Sequence, residues 1–256
     1  MNTTEQFTGK KVLVTGGTRG IGLACARAFA EGGATLALAY KNDHDAAQSA
    51  LASLSGERHV AVAGDLADAD FAEALVRRCV QDLGGLDILV NNAGIFQAQP
   101  LDAVDFGAWR ESWQRILSVN LLAPAHLSYH AAQHMMKQSG GHIVNVSSRG
   151  AFRGEPEGPA YGASKAGLNA LSQSLAQKLA PHGIFVGVVA PGFVETDMTN
   201  AHLKGERGEA IRAQSPLNRV ATPEEVAHAV LFLASEGAEF CTGAILDVNG
   251  ASYLRS

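Results

Sequence analysis

The chain has 256 residues, of which 46% are hydrophobic and 18% are charged, a balance too apolar for a disordered protein. Its 20 basic and 25 acidic residues give a formal net charge of −5, which argues against nucleic acid as a partner. No apolar run approaches the roughly 18 residues of a membrane-spanning helix, and the polar residues 1–6 do not have the layout of a secretory signal. We therefore expect a cytoplasmic protein, with no membrane partner and a single domain over 1–256.

Short β-branched runs alternate with longer helical patterns along the chain, which is typical of a parallel sheet covered by helices on both faces. We predict an α/β fold built on a doubly wound parallel sheet. Pro124 should break the long helical pattern after Leu122 into two successive helices. The predicted strands are 11–15, 34–40, 58–63, 86–90, 142–147, 184–190 and 244–248. The predicted helices are 20–32, 45–54, 68–83, 106–137, 160–180 and 223–235, with a shorter one at 202–213.

Cysteine and histidine spacing favours neither disulfides nor a metal site. The three cysteines lie far apart and leave one thiol without a partner, which fits a reducing compartment. His126, His130 and His134 share one helical face, an array that could hold a metal ion. No carboxylate shares that face, so we predict an ordinary, partly exposed helix surface and no metal.

A glycine-rich turn, residues 15–22, follows the first predicted strand and leads into a helix. Glycines let the backbone approach a ligand closely, and the free N–H groups of a helix start attract an anion. A dinucleotide pyrophosphate would fit this turn. The spacing G-x-x-x-G-x-G departs from the standard G-x-G-x-x-G, so a purely structural turn stays open as an alternative. The candidate contacts are Gly16, Thr18, Arg19, Gly20, Ile21 and Gly22.

The residues after the second and third strands bear on the adenosine half of such a cofactor. The second strand ends at Tyr40-Lys41 without the acidic residue that would bind both ribose hydroxyls. Lys41 and Arg19 could instead neutralise a 2′-phosphate, which favours NADP(H) over NAD(H), although Lys41 could also be simply solvated. Asp65, followed by Leu66, is placed to contact the adenine amino group or to cap the next helix.

The fourth strand ends in Asn91-Asn92-Ala93-Gly94. Side-chain amides at a strand end can fasten neighbouring backbone, and the small residues Ala93 and Gly94 leave room for a cofactor. A turn alone would explain this pattern equally well.

Tyr161 and Lys165 stand four residues apart near the start of a predicted helix, so their side chains can meet. A nearby ammonium stabilises phenolate and should lower the pKa of the tyrosine, which makes it usable as an acid–base group. An isolated Y-x-x-x-K spacing often arises by chance. Ser148 makes a functional interpretation of the pair more favourable, because this serine follows the fifth strand at the sheet edge where ligands bind. Its hydroxyl can donate a hydrogen bond to a substrate carbonyl.

Together these motifs occur in the order and spacing of the short-chain dehydrogenase/reductase family, which the chain resembles over nearly its whole length. The resemblance implies an extended Rossmann-type sheet of seven strands, with Tyr161 as catalytic acid–base and Ser148 as carbonyl polariser. It implies that Lys165 lowers the tyrosine pKa and holds the nicotinamide-ribose hydroxyls. It also implies that Asn120 holds a water in a proton relay. The further cofactor contacts that it implies are Asn92, Ala93, Gly94, Pro191, Gly192, Val194 and Thr196.

Within the family, the chain resembles 3-oxoacyl-carrier-protein reductases and sugar or polyol dehydrogenases. Gln133 and Gln177 stand where the carrier-protein reductases have arginine, which weakens the case for docking of an acidic carrier. The glycines of 192–212 suggest a mobile substrate lid. By family analogy we expect a homotetramer that associates through its long helices and last strand.

The full set predicts an NADP(H)-dependent oxidoreductase that transfers a hydride between nicotinamide and a small carbonyl or secondary alcohol substrate. Two alternatives remain at this stage. One is a non-enzymatic module that senses the NADP(H) state through a partner, and the other is a dehydratase or epimerase built on the same fold.

Overall fold

The computed structural model describes residues 6–138, 140–200 and 203–255. In these residues seven parallel strands form one sheet in the order β3-β2-β1-β4-β5-β6-β7, which confirms the predicted fold class. The strand order reverses between β1 and β4, and this switch point opens a crevice at the carboxyl edge of the sheet. The strands are β1 (Lys11–Thr15), β2 (Thr35–Tyr40), β3 (Val60–Ala63), β4 (Ile88–Asn91), β5 (Gly141–Val146), β6 (Ile184–Pro191) and β7 (Ile245–Val248).

The helices lie close to their predicted positions, and two short ones were not predicted. Both, α6 and α8, have four residues, too few to show a helical period in the sequence. No helix in the described ranges is long and apolar enough to cross a membrane. Residue 202 of the predicted helix 202–213 and the polar residues 1–5 lie outside the described residues. The helices are α1 (Gly20–Glu31), α2 (His44–Ala52), α3 (Ala69–Leu83), α4 (Phe106–Leu117), α5 (Ala123–Met135), α6 (Gly150–Arg153), α7 (Pro159–Leu179), α8 (Asp197–Asn200), α9 (Gly205–Arg212) and α10 (Pro223–Leu233).

Two hydrophobic cores form because alternate residues of each strand point to opposite faces of the sheet. Val12 and Val14 of β1 belong to one core, which includes Phe29 of α1. Leu13, between them, belongs to the other core, which includes Leu127 of α5. Burial on both sides explains why the strands read as continuous apolar runs. Because both faces of the sheet are buried, the polar residues of these segments lie at the strand ends.

The junction at Pro124 falls where it was predicted, but the chain does not leave the helical conformation there. Residues Ser118–Leu122 form a π-helical turn between α4 and α5, with Pro124 in the first turn of α5. Proline has no N–H and interrupts the regular hydrogen-bond ladder, which accounts for the wider turn. The turn contains Asn120, whose side chain is fully buried.

A buried chain of polar side chains joins the sheet to the helices below its carboxyl edge. The Asn91 amide donates to Asn145 Oδ1 at 2.8 Å and to Ser128 Oγ at 3.3 Å. The Asn145 amide donates in turn to Ser172 Oγ at 2.8 Å. These bonds link β4 and β5 to α5 and α7. They fix the strand ends from which Asn92 and the loop after β5 begin.

We expect Asn145→Ala to destabilise the fold by about 2–4 kcal/mol, because it opens a cavity and leaves the Asn91 amide without its shorter bond. Urea unfolding followed by circular dichroism measures this loss. Ser174→Ala is the matched control, since the Ser174 hydroxyl is exposed and bonds only to its own helix at Ala170 O. The control should stay within about 0.5 kcal/mol of wild type. An Asn145→Ala protein as stable as this control would contradict the structural role of the network.

Candidate active site

The glycine turn after β1 adopts backbone conformations that favour glycine, with φ of +62° at Gly16 and +53° at Gly20. A Cβ on Gly22 would lie 2.1 Å from the carbonyl oxygen of Gly16, so only glycine fits there. Helix α1 begins with Arg19 as its N-cap, without a side-chain cap and without an acidic residue in its first turn. Its first N–H groups are therefore not neutralised by acidic or capping side chains, which suits an anion.

The end of β4 is fastened to this turn by side chains. The Asn92 amide donates to Thr15 O at 2.9 Å and to Gly16 O at 3.2 Å. Thr15 Oγ1 accepts the backbone N–H groups of Asn92 and Ala93, both at 3.0 Å. The amide thus does what the sequence pattern indicated and fixes neighbouring backbone. The two sides of the switch point become one rigid surface.

At the ends of β2 and β3, one carboxylate holds two cations. Asp65 accepts from Lys41 Nζ at 3.0 Å and from Arg115 Nη2 at 3.1 Å. Burial raises the pKa of Asp65, but the N–H of Ala67 and the two cations outweigh it and lower the pKa to about 2. Lys41 is more than half exposed and is paired, not simply solvated. Arg115 was missed by the sequence analysis, because it lies in α4, fifty positions along the chain from Asp65.

The alternative role of Asp65 as a helix cap is wrong. Helix α3 is capped by Asp68, whose side chain accepts from Asp70 N. Tyr40, at the end of β2, has its hydroxyl 2.8 Å from His44 Nδ1. Leu66 is partly buried and packs against a core.

Lys165 is the most deeply buried charged group of the predicted set, at 4% exposure. Its Nζ donates to the carbonyl of Val146 at 2.8 Å and lies 5.8 Å from the centre of the Tyr161 ring. A Cβ on Gly94 would lie 3.3 Å from Lys165 Nζ and 3.6 Å from Asn120 Oδ1. The glycine therefore keeps a space open directly beside the amine, which any side chain would fill.

Burial changes the acid–base properties of both partners. It raises the pKa of the Tyr161 phenol, while the nearby Ser148 hydroxyl lowers it and the charge of Glu155 raises it further. It lowers the pKa of the Lys165 amine to about 8. The predicted net lowering of the tyrosine pKa is wrong for this structure, because burial outweighs the groups that lower it. Burial therefore favours the neutral, protonated phenol, which is the form that can act as an acid.

The Asn120 side chain forms hydrogen bonds with the loop that follows Gly94. Its Oδ1 accepts the N–H of Ile95 at 2.8 Å, and its amide donates to Ile95 O at 2.9 Å and to Ser164 Oγ at 3.2 Å. Ser164 Oγ donates to Tyr161 O at 2.7 Å. The amide thus ties the Gly94 loop to the helix turn that carries Tyr161, which is a positioning role.

Ser148 lies just beyond β5, where its Oγ accepts the N–H of Gly150 at 3.0 Å. The phenol of Tyr161 is close enough for this hydroxyl to affect its pKa. Phe96, from the Gly94 loop, packs edge-on against the Tyr161 ring with ring centres 5.4 Å apart. Two hydroxyl groups and one aromatic wall therefore meet at the carboxyl edge of the sheet.

The segment after β6 reaches back to the glycine turn. A Cβ on Gly20 would lie 3.2 Å from Thr196 Cγ2, so these two residues nearly touch. Val194 pairs with Ala221 in an isolated parallel bridge, and Pro191 O accepts the N–H of Arg149. Further along, Gly192 packs against Asn249, Thr18 is buried and Ile21 packs against a core.

The buried amine should make stability depend on pH. The folded chain releases the Lys165 proton near pH 8, before the unfolded chain does at about 10.5, so stability should rise with pH between these values. Relative to Lys165→Met, wild type should gain about 1–2 kcal/mol between pH 8 and 9.5. Urea unfolding at several pH values measures the difference. Lys178→Met, at an exposed position, should keep the wild-type slope, and a Lys165→Met protein with that same slope would contradict the assignment.

Known proteins share this architecture over almost the full chain. A family model described as enoyl-(acyl carrier protein) reductase matches residues 16–251. The cis-4-hydroxycyclohexanecarboxylate dehydrogenase of Sinomonas cyclohexanicum is 40% identical, covering 96% of this chain and 97% of its own. The 3-oxoacyl-acyl-carrier-protein reductase of Staphylococcus aureus is 36% identical over 96% and 98%.

A solved structure shows the same likeness in three dimensions. The short-chain dehydrogenase from Burkholderia cenocepacia J2315, in complex with NADP, superposes with a TM-score of 0.90 at 37% identity, covering 97% of this chain and 99% of its own. The fold, the motifs and these relatives agree: the chain belongs to the short-chain dehydrogenase/reductase family of oxidoreductases.

Proposed function

We propose that this protein is an NADP(H)-dependent dehydrogenase or reductase that interconverts a secondary alcohol and a carbonyl group. The observation that carries the proposal is the space that Gly94 leaves beside the Lys165 amine, with Asn120 at its edge. A side chain at position 94 would block a flat ring and a ribose from reaching the amine. The Tyr161 phenol stands on the same helix face, which suits proton transfer at that place.

The residues of the crevice fit a dinucleotide. The glycine turn and the uncapped start of α1 would take the pyrophosphate, Asp65 the adenine amino group, and Lys165 the ribose hydroxyls next to nicotinamide. Thr196, Val194, Gly192 and the 92–94 loop would surround the nicotinamide. When bound, NADP(H) supplies or accepts the hydride.

Charge supports NADP(H) over NAD(H). Lys41 follows β2 and Arg19 is the N-cap of α1, and both cations would contact a 2′-phosphate. In the free protein Lys41 is paired with Asp65, which would compete with a 2′-phosphate for this lysine. Arg115 binds the same carboxylate, so Asp65 would keep a cationic partner when Lys41 turns to the phosphate. The relative from Burkholderia cenocepacia whose structure contains NADP is consistent with this preference.

The chain's own groups would perform the proton chemistry. In reduction, the protonated Tyr161 phenol donates its proton to the substrate oxygen, which the Ser148 hydroxyl polarises by a hydrogen bond. In oxidation, the same phenol oxygen accepts the hydroxyl proton. Lys165 places a positive charge near the phenolate that is left after reduction. Asn120 holds the Gly94 loop in a fixed position relative to α7.

The substrate class follows from the relatives and from the surface of the chain. The printed names of the two relatives specify a hydroxycyclohexanecarboxylate and a 3-oxoacyl chain, which share a hydroxyl or oxo carbon. We assign a small carbonyl or alcohol substrate rather than a carrier-bound one. Gln133 and Gln177 are exposed on α5 and α7 and offer no charge to an acidic carrier.

Three further expectations belong to this proposal. The segment 192–212 would act as a lid of the single domain 1–256, with residues 201–202 outside the described ranges. Association into a tetramer would follow the family pattern. A reducing cytoplasm suits the unpaired cysteines, since burial raises the thiol pKa of Cys25 and Cys79 to about 12 and makes them unreactive.

We expect Tyr161→Phe to lower kcat/KM by about 10²–10⁴-fold on any ketone that the wild type reduces, because the proton donor is lost. Its Kd for NADP⁺ should stay within about threefold of wild type, since a phenyl ring keeps the packing on Phe96. NADPH absorbance measures the first value and calorimetry the second.

Tyr129→Phe is the matched control, because the Tyr129 hydroxyl lies on an exposed part of α5. The control should keep wild-type kinetics. NADPH binding without turnover of any ketone or β-ketoester by the wild type would favour a sensing module. Product formation without net cofactor change would favour a dehydratase or epimerase.

We expect Lys41→Ala to weaken NADP⁺ by about 10–100-fold through loss of a charge-assisted contact, and NAD⁺ by less than about threefold. Calorimetric titration with both dinucleotides gives the two ratios. Lys178→Ala, at an exposed lysine far along α7, should change neither. Equal losses for NADP⁺ and NAD⁺ in Lys41→Ala would remove the argument for a 2′-phosphate site.

A further inference from the structure

A second cavity, of about 220 Å³, lies between the end of β7 and the segment that follows α9. Its lining does not include Ser148, Tyr161 or Lys165. It is smaller than the roughly 300–1,000 Å³ of sites for drug-sized ligands, so its guest would be small. The cavity therefore does not contain the groups that carry out the proposed proton chemistry.

Arg149 places a charged guanidinium in the wall of this cavity, although the residue is only 4% exposed. Its Nη1 donates to Ser252 Oγ at 2.5 Å and its Nη2 to Gln214 Oε1 at 2.6 Å. The guanidinium stacks over the Phe193 ring, 5.1 Å from its centre. It is held from three sides by neutral groups.

The charge of Arg149 has no partner in the described parts of the chain, where no carboxylate lies within ion-pairing distance of it. Burial lowers its pKa, as does the charge of Arg153, while the charge of Glu155 raises it. Burying an ion without a counter-charge is unfavourable. Two of the five N–H bonds of the guanidinium are used by Ser252 and Gln214, so donors remain for a ligand.

The rest of the lining does not supply the missing negative charge. Arg219 and Glu225 both face the cavity, but they neutralise each other through two bonds of 2.7 and 2.6 Å. With Arg149 the lining therefore carries one net positive charge, two cations against one anion. Ser215 and Asn249 contribute polar side chains, and Leu217 an exposed apolar edge.

We propose that this cavity binds a small oxyanion, a phosphate or a carboxylate, on the Arg149 guanidinium. The ligand would join the segment of Gln214 and Ser215 to the loop after β7 that carries Ser252. The cavity adjoins the proposed nicotinamide contacts through Phe193, but the argument for it does not rest on the proposed oxidoreductase activity. Planar arginine donors match both kinds of oxyanion.

The test compares thermal unfolding of the full chain in phosphate, in acetate and in chloride at equal ionic strength. Phosphate should raise the Tm of wild type in a saturable way beyond chloride. Arg149→Gln should weaken the apparent affinity for phosphate at least about tenfold. Arg77→Gln, at an exposed arginine of α3, is the matched control and should respond like wild type.

Gln214→Glu keeps the test decisive if Arg149→Gln fails to fold. It puts a carboxylate where the amide oxygen stands, 2.6 Å from the guanidinium, at an exposed position. This internal counter-charge should raise the Tm in chloride and abolish the response to phosphate. A response to acetate as well as phosphate would show that any small oxyanion suffices, and a response to phosphate alone would identify the phosphate class.

Three outcomes would overturn the proposal. The first is a wild-type protein that phosphate stabilises no more than chloride does. The second is a phosphate response that persists unchanged in Arg149→Gln or Gln214→Glu. The third is a response that survives these substitutions and disappears when NADP⁺ saturates the protein, since that would place phosphate in the glycine turn. All three outcomes are read from thermal unfolding, whereas the oxidoreductase proposal is tested by the turnover of Tyr161→Phe, so the failure of one proposal can be told from the failure of the other.

Discussion

The burial of the Lys165 amine under the end of β5 is the constraint on which the proposed chemistry depends. A lysine taken out of water loses hydration worth several kcal/mol, and in the described residues the carbonyl of Val146 accepts a hydrogen bond from it. The loss is reflected in its low pKa of about 8. Polar oxygens that approach the amine in the space beside Gly94 would restore what burial removed. Hydroxyl groups would therefore stabilise the charged amine at the place where the nicotinamide ribose is proposed to lie.

Much of this arrangement could be predicted from the sequence, and the physical reason is local. The seven strands, and the helices on both faces of the sheet, follow from the spacing of apolar residues, which is visible in the sequence. The glycine turn, the Asn92 loop and Tyr161 with Lys165 lie within short stretches at strand ends, where parallel topology brings them together. The interruption at Pro124 was predictable because proline lacks an N–H.

The remainder depends on contacts between distant parts of the chain. Arg115 of α4 reaches Asp65 in the loop after β3, and no spacing rule indicates that pair. The pKa of Tyr161 was predicted in the wrong direction, because a spacing of four residues shows that two side chains can meet but not how far both are buried. The resemblance implied that Asn120 holds a water in a proton relay, but it did not indicate that the same side chain ties a loop to α7.

Ser148 and Arg149 show how closely two different environments can lie along one chain. The turn after β5 directs the serine toward Tyr161, while the N–H of Arg149 bonds to Pro191 O and its side chain runs beneath the segment after β6. Phe193, two residues beyond Pro191, stacks on that side chain. The peptide that presents the proposed polarising hydroxyl is therefore anchored by a guanidinium on the other side of the turn. Any change in how that charge is satisfied would act on the backbone that positions Ser148, because both depend on the same few bonds between β5 and β6.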